Sequence, residues 1–128
     1  MLETIPTMEK ILKLGKTISK KNTGEKHSKT ENFILCSTTL EKGYIYLVHG
    51  YVSIDRQGLV INAALGNSKC SLTDGVTRGT GTNGGGALIM GIVSNVEDDA
   101  EVALTTYAYD SETVYSGYLY ATVIGYAQ

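Results

Sequence analysis

From Phe33 to the end, the chain is written in twos. In residues 115–127, Tyr118, Tyr120, Thr122, Ile124 and Tyr126 fall on one side, and Leu119, Ala121, Val123 and Gly125 on the other. A period of two, rich in aromatic and β-branched residues, predicts a strand. Neither side is polar. The same doubling recurs in 43–53, where Tyr44, Tyr46, Val48 and Val52 oppose Ile45, Leu47 and Tyr51. It recurs again in 86–94, where Ala87, Ile89 and Val93 oppose Leu88, Met90 and Ile92. An antiparallel strand in a lone sandwich commonly wets one face. A strand that is apolar on both sides needs two covers: the core of its own chain for one, and a second subunit for the other.

Further strands are predicted at 33–39, 58–66, 69–72, 76–80 and 100–109. Turn residues separate them: Asp55-Arg56-Gln57-Gly58, Gly66-Asn67, Asp74-Gly75, Asn83-Gly84-Gly85-Gly86, Asn95 through Asp99, and Asp110-Ser111. About eight short strands with no helix between them predict an all-β sandwich or barrel. The first 32 residues read differently. In residues 1–21, Ile5, Met8 and Leu12, and Ile11, Leu14 and Ile18, follow three-to-four spacing, which predicts a short N-terminal helix from about Pro6. Thr4 or Thr7 can cap it, and Glu9 and the later lysines suit its dipole. Such a helix is marginal alone and needs a partner, either its own body or a symmetry mate. Residues 22–32 are polar throughout and read as a linker. The expected plan is therefore helix 1–21, linker 22–32 and β domain 33–128.

Composition narrows this plan. The chain has 128 residues, enough for one core, and its fifteen glycines and single proline suit many tight turns. Nine tyrosines stand against one phenylalanine and no tryptophan, so tyrosine carries the aromatic packing. Residues 1–30 hold seven lysines against three glutamates, +4; the remainder holds four cations against ten acids, −6. An acidic body argues against nucleic acid as partner. No run approaches the length of a membrane-spanning helix, so no membrane insertion is expected. No apolar leader precedes a small-residue cleavage site, so synthesis in the cytoplasm without a signal peptide is expected. Cys36 and Cys70 make no CxxC and read as buried free thiols.

Candidate chemistry is sparse, and neither an enzyme, a cofactor nor a metal is expected. His49 lies within an apolar strand, as a packed histidine or a general base; His27 lies in the polar linker and reads as solvated. Glu97, Asp98, Asp99 and Glu101 could offer oxygens to calcium or form a solvated acidic turn. Residues 77–86, TRGTGTNGGG, lack the Lys-Ser/Thr of a phosphate loop. They do place Arg78, one of two arginines, among Thr77, Thr80, Thr82 and Asn83. A guanidinium amid hydroxyls and an amide suits a sugar or an anion, so Arg78, Thr80, Thr82 and Asn83 form the expected ligand set.

The order GYIYLVHGYV, GLVINAALG, GALIMGIV, VEDDAEVALTTYAY and VYSGYLYATVIG resembles the C1q/TNF-like jelly-roll superfamily. Tyr115-Ser116-Gly117-Tyr118-Leu119 matches the family's closing Phe-Ser-Gly-Phe-Leu strand conservatively. Val96 to Leu104 stands where the family has Leu-x-x-Gly-Asp-x-Val-x-Leu, and departs from it at Gly-Asp. The resemblance covers about the last 95 residues. It implies a jelly roll that trimerises about a three-fold axis, with Tyr44, Tyr46, Tyr118, Tyr120 and Tyr126 in the interface. A helix, a polar neck and a small head also resemble the receptor-binding heads of phage baseplates and tail fibres. The function so implied is a non-enzymatic trimeric binding head, virion- or appendage-associated, that recognises a cell-surface saccharide. The alternative is a soluble oligomer that sequesters a small charged metabolite or signalling nucleotide in clefts between subunits, as phage anti-defence proteins do. A purely structural trimer is the third reading.

Overall fold

The alternating runs fold as strands whose even and odd residues face opposite ways. The computed structural model describes residues 8–56, 59–76, 79–80 and 86–127. A helical turn α1 (Met8–Lys13) precedes β1 (Thr17–Glu25), β2 (Asn32–Thr39), β3 (Tyr44–Ile54), β4 (Val60–Ile61) and β5 (Ala63–Ser68). Then follow β6 (Ser71–Val76), β7 (Gly79–Thr80), β8 (Ala87–Ser94), β9 (Glu101–Tyr107) and β10 (Tyr115–Tyr126). The expected all-β architecture holds. A five-stranded antiparallel sheet has the order β1-β10-β3-β8-β6, and a three-stranded one the order β2-β9-β5; β4 and β7 form a small separate ladder.

The pairing is nested. β1 pairs with β10, β2 with β9 and β3 with β8, each antiparallel. Successive pairs along the nest alternate between the two sheets, so the connections β1–β2, β2–β3, β8–β9 and β9–β10 each cross from one sheet to the other. One apolar cluster fills the space between them. The large sheet contributes Tyr46, Val48, Val52, Ile89, Val93, Tyr115 and Leu119; the small sheet contributes Phe33, Leu35, Leu65, Val102 and Leu104.

The N-terminus departs from expectation. The helix, described from Met8, ends at Lys13, and Gly15 takes φ +83, the left-handed cap that glycine adopts without strain. Its N–H then donates to the Val123 carbonyl at 2.8 Å, which turns the chain onto the edge of β10. Residues 17–25 are strand rather than the tail of a helix and the start of a linker. The apolar three-to-four spacing that ran through Ile18 was a coincidence of two periods: Ile18 lies opposite Ala121 and packs on the core as a strand residue. Asn22 secures the far end. Its amide donates to Glu25 Oε1 at 2.8 Å and to the Leu35 carbonyl of β2 at 3.2 Å. As an edge strand β1 carries Lys20 and Lys21, charges that discourage further pairing.

His27 is also placed differently from the solvated role expected. Its ring stacks flat on Phe33, centroids 4.3 Å apart, and Nε2 lies 2.8 Å from Glu31 Oε2. Phe33 in turn meets the Tyr115 ring edge-on at 5.3 Å. Two core tyrosines reach loop backbone with their hydroxyls, as buried phenols must. Tyr46 Oη accepts from the Glu41 N–H and Tyr115 Oη from the Tyr109 N–H, both at 3.0 Å.

Gly117 marks a point of close backbone approach in the large sheet. A Cβ there would stand 2.5 Å from the Tyr51 carbonyl oxygen and 3.3 Å from Leu104 Cδ2. Gly117→Ala should therefore lower stability by about 1–3 kcal/mol, the usual range for an overpacked core. A urea titration measures it, and a wild-type midpoint would mean that the β3–β10 ladder can yield.

The turn into β10 is built on Asp110. Its Oδ1 accepts the N–H of Thr113 at 2.8 Å, the Thr113 hydroxyl at 2.8 Å and the N–H of Glu112 at 2.9 Å. These bonds, Thr113's first, hold the carboxyl below its ordinary value, with a further contribution from Arg56. A depressed carboxylate stabilises the fold above its unfolded pKa of about 3.9 and ceases to do so as pH falls through the lower folded value. Asp110→Ala should lower the melting temperature at pH 7 and lose that difference from wild type progressively below pH 4. Melting curves across pH 2–7 check the sign.

Candidate functional site

The residues that β10, β3 and β8 turn away from the core meet on one surface. Register places them in three rows that run from β1 through β10 and β3 to β8. The rows are Thr17–Thr122–Leu47–Ile92, Ser19–Tyr120–His49–Met90 and Lys21–Tyr118–Tyr51–Leu88. The centre is aromatic. Tyr118 stacks on Tyr120 at 4.7 Å and on Tyr51 at 5.5 Å, and His49 meets Tyr120 edge-on at 5.0 Å and Tyr118 at 5.9 Å. The β8 side is aliphatic, with Leu88, Met90 and Ile92 39%, 44% and 48% exposed. The β1 side carries hydroxyls, with Thr17 and Thr122 bonded at 2.8 Å. In these rows Lys21 is the only residue with a permanent charge.

The three-stranded sheet turns a different face outward. Thr39, Glu101 and Ser68 share one row, and Ser37, Ala103 and Gly66 the next. The small residues of the second row leave a shallow groove of about 380 Å³, flanked by Ile34, Thr105, Asn67 and Glu101. Its polar atoms are partly engaged: Thr105 donates to the Ala64 carbonyl at 3.3 Å and Asn67 to the Cys70 carbonyl at 2.7 Å.

The expected interface tyrosines divide into two groups. Tyr118 and Tyr120 stand on the aromatic face. Tyr44 and Tyr46 do not: they are 4% and 2% exposed and belong to the core, so neither side chain has surface to offer a partner. Tyr126 changes sides. The ladder between β10 and β3 shifts register between Val123 and Gly125, leaving Ile124 without a partner opposite and 48% exposed. Beyond the shift Tyr126 lies opposite Tyr44 and packs against the core. A bulge of this kind flips every residue that follows it. Tyr51 and Leu88, set by alternation on the second apolar sides of their strands, join the face, and so does His49. Their membership depends on which residues lie across the ladder.

Of the expected ligand set, Arg78, Thr82 and Asn83 lie outside the described residues. Thr80 is in β7, paired with Val60. The acids at 97–101 do not gather: Asp98 reaches Lys42 at 3.8 Å, and no three metal-ligating side chains converge among the described residues. Both cysteines are free, Cys36 buried and Cys70 partly so, and burial pushes both thiols up. Neither is therefore a ready thiolate near neutral pH. No helix among the described residues is long and apolar enough to cross a membrane.

Compared with known protein families, curated proteins and solved structures, the chain matches none.

Proposed function

We propose that the chain is a non-enzymatic binding module that acts as a homotrimer, the jelly-roll head of a phage tail or other surface appendage that recognises saccharide. The outer face of the five-stranded sheet carries the argument. A sheet face exposed to water normally alternates to polar residues; here three successive rows do so only at Thr17, Ser19, Lys21 and Thr122, and present tyrosine, histidine, leucine, methionine and isoleucine across β10, β3 and β8. A contiguous patch of this kind marks an interaction site.

A second copy of the chain is the occupant that fits. The face has almost no charge for a polar or ionic partner to read, while tyrosine hydroxyls and aliphatic side chains complement their own kind. In a closed three-fold ring each copy covers such a patch with a different face of its neighbour, so no copy is left with the patch exposed. The four strands that carry the rows, about 4.8 Å apart and seven residues long at about 3.4 Å each, give a flat projection of roughly 460 Å². Side-chain relief raises the accessible area toward the ~800 Å² per partner of a stable interface. The nested pairing of first strand with last, second with ninth and third with eighth is what a jelly roll requires, and it supports that reading of the fold. With the aromatic face covered, the polar faces and the loops remain for ligand. Within this reading Arg78, with Thr80, Thr82 and Asn83, stays the proposed contact set for saccharide.

Light scattering at micromolar concentration should return three times the 13.7 kDa of one chain. A monodisperse single-chain mass would sink the reading. Tyr120→Asp should dissociate the assembly, because an unpaired carboxylate in an aromatic interface costs several kcal/mol. The isolated chain should keep its β circular dichroism, since Tyr120 faces away from the core. Unchanged mass would show that this face is not the interface. On a glycan panel, Arg78→Ala should weaken binding about ten- to a hundredfold, the loss of one charge-assisted hydrogen bond, and leave the mass unchanged.

A further inference from the structure

Two features of the backbone open the groove on the outer face of the three-stranded sheet. The β2–β9 ladder shifts register between Ile34 and Cys36. Leu35 and Cys36 are therefore both buried, and Ile34 and Ser37 both turn outward. A bulge of this kind bends its strand and re-aims the side chains beside it. Across the sheet from Ser37 stand Ala103 and then Gly66, and a Cβ at Gly66 would meet nothing within 4 Å. The groove that results, about 380 Å³, falls at the small end of the range of about 300–1,000 Å³ typical of small-molecule sites.

Its polar lining is rich in acceptors. Among the described residues Glu101 is the only charged one that lines it, and its carboxylate makes no hydrogen bond or ion pair with another of them. Thr105 spends its hydroxyl hydrogen on the Ala64 carbonyl and Asn67 an amide hydrogen on the Cys70 carbonyl, which leaves each with an oxygen free to accept. The Ser37 and Ser68 hydroxyls take either role. A carboxylate with no cation beside it repels phosphate and carboxylate groups and suits a ligand that brings hydroxyl donors. Ile34, 57% exposed on the wall, offers apolar surface to the C–H groups of such a ligand.

We propose that this groove is a subsite for one neutral sugar ring, whose C–H groups lie against Ile34 and Ala103 and whose hydroxyls donate to Glu101 and the oxygens near it. The inference deepens the preceding reading, that the chain recognises saccharide, and rests on it. The arginine of the Arg78 set suits an anionic group, whereas this groove takes the uncharged part of a saccharide. The hydrogen bond to Glu101 is charge-assisted, so that residue carries most of the affinity.

Titration of isotope-labelled protein with methyl glucoside, methyl galactoside and N-acetylglucosamine, read by backbone amide shifts, tests this; the 6-phosphate of each sugar is the charged counterpart. At least one neutral sugar should move the amides of Ser37, Gly66, Ala103 and Thr105 along a saturable curve, and its 6-phosphate should bind more weakly. Glu101→Gln should raise the Kd about ten- to a hundredfold, the loss of one charge-assisted hydrogen bond. Ala103→Leu, which fills the floor, should abolish the shifts while circular dichroism and the mass in solution stay those of the wild type. If Ala103→Leu does not fold, Glu101→Gln decides. Wild-type affinity in Glu101→Gln, equal binding of the 6-phosphate, or a changed mass in Ala103→Leu, which would make the groove a subunit contact, overturns the proposal. Shifts confined to residues outside the groove overturn it and leave saccharide recognition standing. No shift with these sugars, together with no binding on the glycan panel, overturns both.

Discussion

The antiparallel ladder between β3 and β10 is the interaction on which the rest depends. It joins eleven residue pairs, from Tyr115 opposite Ile54 to Tyr126 opposite Tyr44. Its inward side chains, Tyr46, Val48, Val52, Leu119, Ala121 and Val123, form the middle of the core. Its outward ones, His49, Tyr51, Tyr118 and Tyr120, form the aromatic surface. The two strands are the third and the last in the chain, so closing this ladder encloses every strand between them. The tight fit at Gly117, with the Tyr51 carbonyl where a Cβ would stand, shows how closely the two backbones are held.

The two sheets differ in what they show to water, and the difference gives the molecule a direction. The three-stranded sheet ends in Thr39, Glu101, Ser68, Ser37 and Thr105, with Ile34, 57% exposed, and Tyr107 its large apolar side chains. The five-stranded sheet ends in tyrosines and aliphatic side chains. The helix α1 belongs to the same account. It buries none of its residues, and Met8 and Leu12 are 67% and 65% exposed. Polar ties attach it to the body, Lys10 to the Ala127 carbonyl at 2.9 Å and Lys13 to Glu41 at 3.1 Å.

Much of the β body was legible because a period of two is a local property. The runs 43–53, 86–94 and 115–127 became β3, β8 and β10 with their faces correctly separated, except beyond the bulge at Val123–Gly125. That exception cost the placement of Tyr126, since no local signal marks a register shift between two β-branched residues and a glycine. The N-terminal segment was misread for a related reason. Ile11, Leu14 and Ile18 satisfy a helical spacing, yet Gly15 divides them, and the Val123 carbonyl recruits the chain beyond it into the sheet. The β-branched Thr17 and Ile18 just after that glycine were the available signal for strand.

By itself the sequence determined that the chain is built of short strands, that several are apolar on both sides, and that tyrosine carries the packing. Those follow from residue type and local spacing. Only the tertiary structure decided which apolar side is core and which is surface. Tyr44 and Tyr118 are equivalent in their strands by pattern; one is buried under the small sheet and the other lies on the outer face. The pleat sends alternate residues to opposite faces but does not say which face the second sheet will cover. That choice is made by the nested pairing of distant strands, and it gathers Tyr51, His49, Tyr118, Tyr120 and Met90 from three separate stretches into one surface.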